Sequence, residues 1–129
     1  MTRPTRPISW IVAARKAFGS FPEGAQPTCL TALTIAAEGG KADIAKPMKG
    51  LGAGVFEIAL PHRGNAFRVV YAVKFDSDIW VVHAFQKKSR KGKKTPQQEL
   101  EVVKQRLRRA EAVHATIDKV RGGPDEEEC

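Results

Sequence analysis

Two features of the sequence have the residue types needed for chemistry on a phosphate group. The segment KKSRKGKK, residues 87–94, holds six lysines and arginines in eight residues. The second feature is Arg68, a single charge within the hydrophobic run AFRVVYAV. Ammonium and guanidinium groups bind phosphate, and the planar guanidinium can bind two oxygens at once. The composition of residues 87–94 is also typical of a solvated loop and of a targeting tag. The flanking elements have to discriminate between these two interpretations and a phosphate-binding site.

The charge of the whole chain favours a polyanionic partner. The 129 residues contain 22 lysines and arginines against 14 aspartates and glutamates, a net charge of +8. Four of the acidic residues lie in the C-terminal DEEE, so the rest of the chain is more basic still. Nucleic acid is the commonest partner of such a surface, and a generally basic, soluble surface is the alternative.

Several classes of protein are disfavoured by the sequence. No apolar run approaches the roughly 20 residues that cross a bilayer, and the N-terminal apolar stretch ISWIVAA is cut short by Arg15 and Lys16, which argues against a signal peptide. The two cysteines, Cys29 and Cys129, form neither a disulfide framework nor a metal motif. We therefore expect a reduced, cytoplasmic protein without a metal or a cofactor. The glycine-rich GLGAG precedes a strand, so it does not fit the dinucleotide fingerprint.

The hydrophobic pattern predicts an α+β fold. Three runs rich in β-branched and aromatic residues, GVFEIAL, AFRVVYAV and IWVVHAF, are separated by PHRGN and KFDSD, which predicts an antiparallel meander of three or four strands. Two helices precede it, after a short extended segment at residues 8–12, and the second helix ends at Gly39-Gly40. Thr95 is expected to cap a C-terminal helix with Pro96 at its first position, and this helix ends at Gly122-Gly123-Pro124. We expect one domain, residues 1–121, with helices on one face of the sheet, and a disordered acidic tail, residues 122–129.

Strand alternation predicts which charged residues share a face. A hairpin turning at residues 62–64 places Glu57 roughly opposite Arg68, and a second hairpin brings Arg68 towards Lys87 and Lys88. These four residues would form a charged cluster on a face that no helix covers. A Glu57–Arg68 ion pair that only keeps this face soluble is the simpler alternative. Tyr71 and His83 are expected on the helix-covered face as core residues.

Four segments together resemble a known toxin superfamily. They are KPMKGLGAGVFEI, HRGNAFRVVYAVKF, VVHAFQKKSRKGKKTP and ELEVVKQRL. In these segments the chain is similar to the RelE/ParE superfamily, and most of all to the HigB-like, phage-derived branch of type II toxin–antitoxin systems. The resemblance spans residues 8–112.

The resemblance implies a ribosome-dependent mRNA endonuclease of the cytoplasm, neutralised by a helix-turn-helix (HigA-like) antitoxin. The nucleophile would be the 2′-hydroxyl of the RNA, so the protein would need no metal and no cofactor. Arg68 matches the strand arginine expected to bind the scissile phosphate. The expected catalytic group is Arg68, Lys87, Lys88 and Glu57. The residues expected to bind RNA are Lys46, Lys49, His62, Arg63, Arg90, Lys91, Lys93 and Lys94.

The chain departs from the resemblance in its proton-transfer group. Many members carry a tyrosine or histidine near the C-terminal end. This chain has neither between Lys87 and Leu100, only Gln97, Gln98 and Glu99 at the helix start. A lysine, His62 or Glu57 are the candidates that remain. Two other functions stay open, namely a ParE-like poison of DNA gyrase and a non-catalytic nucleic-acid-binding protein.

Overall fold

The computed structural model describes the backbone of residues 5–75, 78–87 and 95–128, and the side chains of these residues up to position 115. In this part of the chain five strands form one sheet: β1 (Ile8–Trp10), β2 (Ala45–Pro47), β3 (Val55–His62), β4 (Asn65–Ala72) and β5 (Ile79–Lys87). The helices are α1 (Val12–Gly19), α2 (Ala25–Ala37) and α3 (Gln97–Glu128). The predicted α+β class and the order of its elements are confirmed. None of the described helices is long and apolar enough to span a bilayer.

The predicted meander forms the centre of the sheet. The strand order is β1-β5-β4-β3-β2, and β2 to β5 pair in antiparallel fashion. β1 pairs with β5 in parallel, with Ile8 opposite Ile79. The sheet is therefore mixed, because the N-terminal segment adds a parallel strand to an antiparallel core.

The first hairpin turns where the sequence predicts it. His62 pairs with Asn65, so the turn consists of Arg63 and Gly64. Both have a positive φ, 51° and 82°, which is the backbone of a type I′ turn. This turn sets the register that brings the charged residues of β3 and β4 together.

The two faces of the sheet are covered by different helices. Phe67 and Tyr71 point to one face, where Phe67 contacts Phe21 of the segment between α1 and α2. Arg68, Val70 and His83 lie on the other face, where His83 contacts side chains of α3. The sheet is thus enclosed on both sides, whereas the sequence suggested helices on one side.

A β-bulge explains why His83 is on this second face. Val70 pairs with His83 but Tyr71 pairs with Val81, which leaves Val82 as an extra residue in β5. An unbroken ladder from Tyr71 would place His83 on the face of Tyr71, as the sequence predicted. That prediction is wrong because the extra residue reverses the alternation.

The helix α3 differs at both ends from its prediction. The Pro96 carbonyl accepts bonds from the amides of Glu99 and Leu100, which makes Pro96 the capping residue instead of Thr95. At the other end the backbone stays helical to Glu128 and does not stop at Gly122. Glycine and proline weaken a helix, by about 1 and 3 kcal/mol, without forbidding it. The division into a domain of residues 1–121 and an acidic tail remains a prediction.

Candidate functional site

Arg68 lies at the centre of a buried polar cluster. Only 6% of the surface of Arg68 is exposed. The Nη1 group donates to Glu57 Oε1 at 2.9 Å and to Thr95 Oγ1 at 3.3 Å. The Thr95 hydroxyl in turn donates to Glu57 Oε2 at 2.6 Å. We call Arg68, Glu57 and Thr95 the arginine cluster, and it joins β3, β4 and the start of α3.

The prediction that Arg68 faces an uncovered side of the sheet is wrong. Arg68 pairs with Phe85 on β5, and α3 begins directly above this part of the sheet. A guanidinium tolerates burial here because Glu57 neutralises it and charge-assisted hydrogen bonds replace part of its hydration. The predicted proximity of Glu57 to Arg68 is confirmed, although Glu57 pairs in the ladder with Val70 and reaches Arg68 diagonally.

A second polar cluster lies beside the first, under the next turn of α3. His83 Nε2 is 2.6 Å from Glu99 Oε1, and Arg106 Nη1 is 3.1 Å from His83 Nδ1. Arg106 also donates to the carbonyl of Val82, the extra residue of the bulge. We call His83, Glu99 and Arg106 the histidine cluster.

The hydrogen bonds of the histidine cluster define the state of the imidazole. A guanidinium has only donors, so Nδ1 of His83 must accept from Arg106. The proton of a neutral imidazole is then on Nε2, which donates to the Glu99 carboxylate. Burial lowers the pKa of His83 and the Arg106 charge lowers it further, against the opposing effect of Glu99. His83 is therefore uncharged at neutral pH.

The lowered pKa of His83 predicts a loss of stability in acid. An unfolded histidine binds its proton at a pKa of about 6.5, above that of the folded His83, so the unfolded state takes up more protons as the pH falls below this value. The free energy of unfolding should fall by up to about 1.4 kcal/mol per pH unit, until the lower folded pKa is reached. Urea titrations between pH 7 and pH 5 measure this slope.

A substitution at His83 tests the origin of that slope. His83→Gln should flatten the dependence on pH, since it removes the titrating group. Gln105→Ala, at an exposed position of α3 that does not titrate, is the control and should keep the wild-type slope. An unchanged slope in His83→Gln would contradict the assignment.

The other residues predicted for the site fall on both sides of the sheet. Lys46 pairs with Glu57, and Lys87 pairs with Ala66, so both extend the face of Arg68. Lys49 is exposed in the turn after β2. His62 lies on the opposite face, edge-on to Phe67, and the exposed Arg63 is in the turn. His62 is thus not brought to Arg68. Lys88, Arg90, Lys91, Lys93 and Lys94 lie outside the described residues.

A protein-family model matches most of the chain. It describes "Phage derived protein Gp49-like (DUF891)" and covers residues 16–108, which include both polar clusters. The chain belongs to the Gp49-like family. This is a toxin family of the RelE/HigB type, in agreement with the phage-derived resemblance seen in the sequence.

Two further comparisons accompany the family match. The crystal structure of the toxin-antitoxin complex RelBE2 from Mycobacterium tuberculosis contains a chain that superimposes with a TM-score of 0.39 and 19% sequence identity. The superposition covers 66% of this Gp49-like chain and 94% of that chain. A comparison with curated proteins gave no significant match.

Four residues of the two clusters were not predicted as site residues of this Gp49-like protein. Thr95 was interpreted as a helix cap and His83 as a hydrogen-bonded core residue, and Glu99 was noted only as a residue of the helix start. Arg106 carried no signal at all. Thr95 precedes the helix and Glu99 lies in its first turn. Only the packing of α3 shows that both side chains face the sheet.

The two clusters bring arginine and glutamate side chains together. Among the residues that the structure describes, no group of three or more metal-binding side chains occurs. Burial raises the pKa of Cys29 to about 11 and that of Tyr71 to about 12, so neither ionises near neutral pH. What the face of Arg68 offers is a guanidinium held by Glu57 and, in the neighbouring cluster, a Glu99 carboxylate held by His83.

Proposed function

We propose that this protein is the toxin of a type II toxin–antitoxin system, of the HigB-like branch, and that it cleaves mRNA on the ribosome. Membership of the Gp49-like family supports the toxin class. The observation that best supports RNA cleavage is Arg68, a guanidinium held between two strands and the start of α3 in a chain of net charge +8. The toxin domain would be residues 1–121, acting in the cytoplasm.

The arginine cluster indicates how a phosphate would enter. The bond from Arg68 to Thr95 is long, 3.3 Å, and its acceptor is an uncharged hydroxyl. A phosphate oxygen is a stronger acceptor, so it would replace Thr95 and leave the 2.9 Å contact with Glu57 in place. Glu57 would then hold the guanidinium in the orientation that the scissile phosphate needs. This makes Glu57 a positioning residue.

The surrounding lysines would supply affinity without sequence preference. Lys46 and Lys87 continue the face of Arg68, and Lys49 is exposed in the turn after β2. Cations in such positions bind RNA phosphates and make the affinity dependent on salt. A helix-turn-helix, HigA-like antitoxin would neutralise the toxin in the cell by covering part of this surface.

Primer extension on mRNA from cells expressing the chain tests this function. New 5′ ends within translated regions should appear within minutes of induction and disappear when translation initiation is blocked. If the adjacent reading frame encodes a helix-turn-helix protein, its coexpression should suppress them. Growth arrest without new ends, accompanied by loss of DNA supercoiling, would favour a gyrase poison instead. Harmless expression would favour a non-catalytic binding protein.

A further inference from the structure

The structure assigns a catalytic group that the sequence left open, and we propose that Glu99 accepts the proton of the attacking 2′-hydroxyl. The inference rests on the proposed function, because it names the base of that reaction. Glu99 uses Oε1 to bind His83. Its other oxygen, Oε2, makes no hydrogen bond or ion pair with the side chains described at residues 5–75, 78–87 and 95–115, and the side chain is 30% exposed. A carboxylate oxygen is thus available at the edge of the site.

Three other candidates for this role, Glu57, His62 and His83, are occupied or lie elsewhere. Both oxygens of Glu57 accept hydrogen bonds, from Arg68 and from Thr95, and its side chain is 14% exposed. His62 lies on the opposite face of the sheet, against Phe67. His83 has both ring nitrogens engaged, by Glu99 and by Arg106. Proton transfer requires a lone pair that the substrate can reach beside Arg68, whereas Glu57 and His83 are engaged and largely buried and His62 lies on the other face.

The position of Glu99 relative to Arg68 suits a nucleotide. Thr95, just ahead of the helix and four residues before Glu99, contacts Arg68 itself. On β5, Glu99 binds His83, which is two residues from the Phe85 that pairs with Arg68. Two residues of a strand span about 6.6 Å. A phosphate bound to the guanidinium could therefore present its neighbouring ribose hydroxyl to the carboxylate.

The histidine cluster holds the carboxylate in one orientation. Arg106 donates to Nδ1 and so forces the proton of His83 onto Nε2, from which it is donated to Oε1 at 2.6 Å. Since this histidine is uncharged, it fixes Glu99 without neutralising its negative charge. His83 and Arg106 are positioning residues, comparable to the second groups that orient a base in other enzymes.

The reaction balances with these groups and water. The 2′-hydroxyl gives its proton to Oε2 of Glu99 while its oxygen forms a bond to phosphorus. The bond from phosphorus to the 5′-oxygen breaks, and that oxygen takes a proton from water. The products are a 2′,3′-cyclic phosphate and a 5′-hydroxyl end. Arg68 stabilises the charge that accumulates on the phosphoryl oxygens.

Glu99→Gln tests the proposal, because glutamine keeps an oxygen for His83 but is not a base. With programmed ribosomes in excess, the single-turnover cleavage rate should fall by about 10²- to 10⁴-fold. The ribosome concentration that gives half the maximal rate should stay unchanged. Glu101→Gln is the matched control, since it makes the same change on an exposed position of α3, and it should cleave like the wild type.

The dependence of the cleavage rate on pH shows whether Glu99 accepts the proton or only maintains the structure of the site. The groups that face Glu99 are His83 on β5 and Arg106 on α3, with Arg68 and Glu57 beside them. In Glu99→Gln, hydroxide must remove the proton, so the rate should rise about tenfold per pH unit near neutrality. The wild type should be nearly flat there. His83→Ala should be slower by up to about 10²-fold, from misplacement of the base, yet keep the flat profile.

Four outcomes would overturn the assignment. The first is a Glu99→Gln protein that cleaves at the wild-type rate. The second is a wild-type rate that already rises tenfold per pH unit, which can be measured even if Glu99→Gln does not fold. The third is recovery of Glu99→Gln on RNA with a 5′-sulfur leaving group, which would make Glu99 an acid. The fourth is an equal loss in Glu101→Gln. If the wild type itself cleaves no RNA, the proposed function fails instead.

Discussion

Replacing Arg68 with alanine is expected to abolish growth inhibition and to destabilise the fold by about 3–5 kcal/mol. Both effects have the same origin. The guanidinium binds the substrate phosphate in the proposed reaction, and in the free protein it neutralises Glu57, whose side chain is 14% exposed. Removing one member of a buried ion pair leaves an uncompensated charge, which accounts for the loss of stability. Urea unfolding and primer extension measure the two effects separately.

A double variant distinguishes loss of chemistry from loss of fold. Arg68→Leu combined with Glu57→Leu replaces the pair with apolar side chains, a change that is often neutral or stabilising. This protein should fold and produce no new mRNA ends. Arg109→Ala, an exposed arginine on α3, is the control for stability and should change the free energy of unfolding by less than about 0.5 kcal/mol. A folded double variant that still cleaves mRNA would show that Arg68 is not the phosphate-binding group.

The local parts of this fold could be predicted because their signals are local. The turn at Arg63-Gly64 follows from the residues between two strand-like runs, and it places Glu57 near Arg68. The three central strands follow from β-branched residues in alternation. The pairing of β1 with β5 joins residues about 70 positions apart, for which the sequence of either strand carries no specific signal.

The candidate site was harder to predict because it depends on a single extra residue and on the packing of one helix. Val82 makes the bulge in β5 and thereby moves His83 to the face of Arg68. The bulged carbonyl is then satisfied by Arg106 from α3, a contact 24 residues away in the chain. The charge of Arg68 suggested that it faces solvent. The partners that allow its burial, Glu57 on β3 and Thr95 before α3, are distant in sequence and show only in the structure.

Phe18→Ala is expected to destabilise the protein by about 3–5 kcal/mol. Phe18 belongs to the core that covers the face of the sheet opposite Arg68. Phe18 is 2% exposed and is the second of four rings in an aromatic chain across the core. Its centroid lies 5.2 Å from that of Trp10 and 5.4 Å from that of Phe21, which in turn lies 4.9 Å from Phe67. Alanine would leave a cavity that these rigid rings cannot fill. The free energy of unfolding therefore falls both by the lost burial of the ring and by the cost of the cavity.

The consequence for the site follows from the position of Phe67 beside Arg68 on β4. Loss of support behind this strand should loosen the register that aligns Arg68 with Glu57 and Thr95, so cleavage should weaken before global unfolding. Val12→Ala, on the same helix α1 but 72% exposed, is the matched control and should change stability by less than about 0.5 kcal/mol. Urea titrations of both variants give the comparison. If Phe18→Ala is no less stable than Val12→Ala, the aromatic chain does not support β4, and the alignment of the site must be maintained by α3 alone.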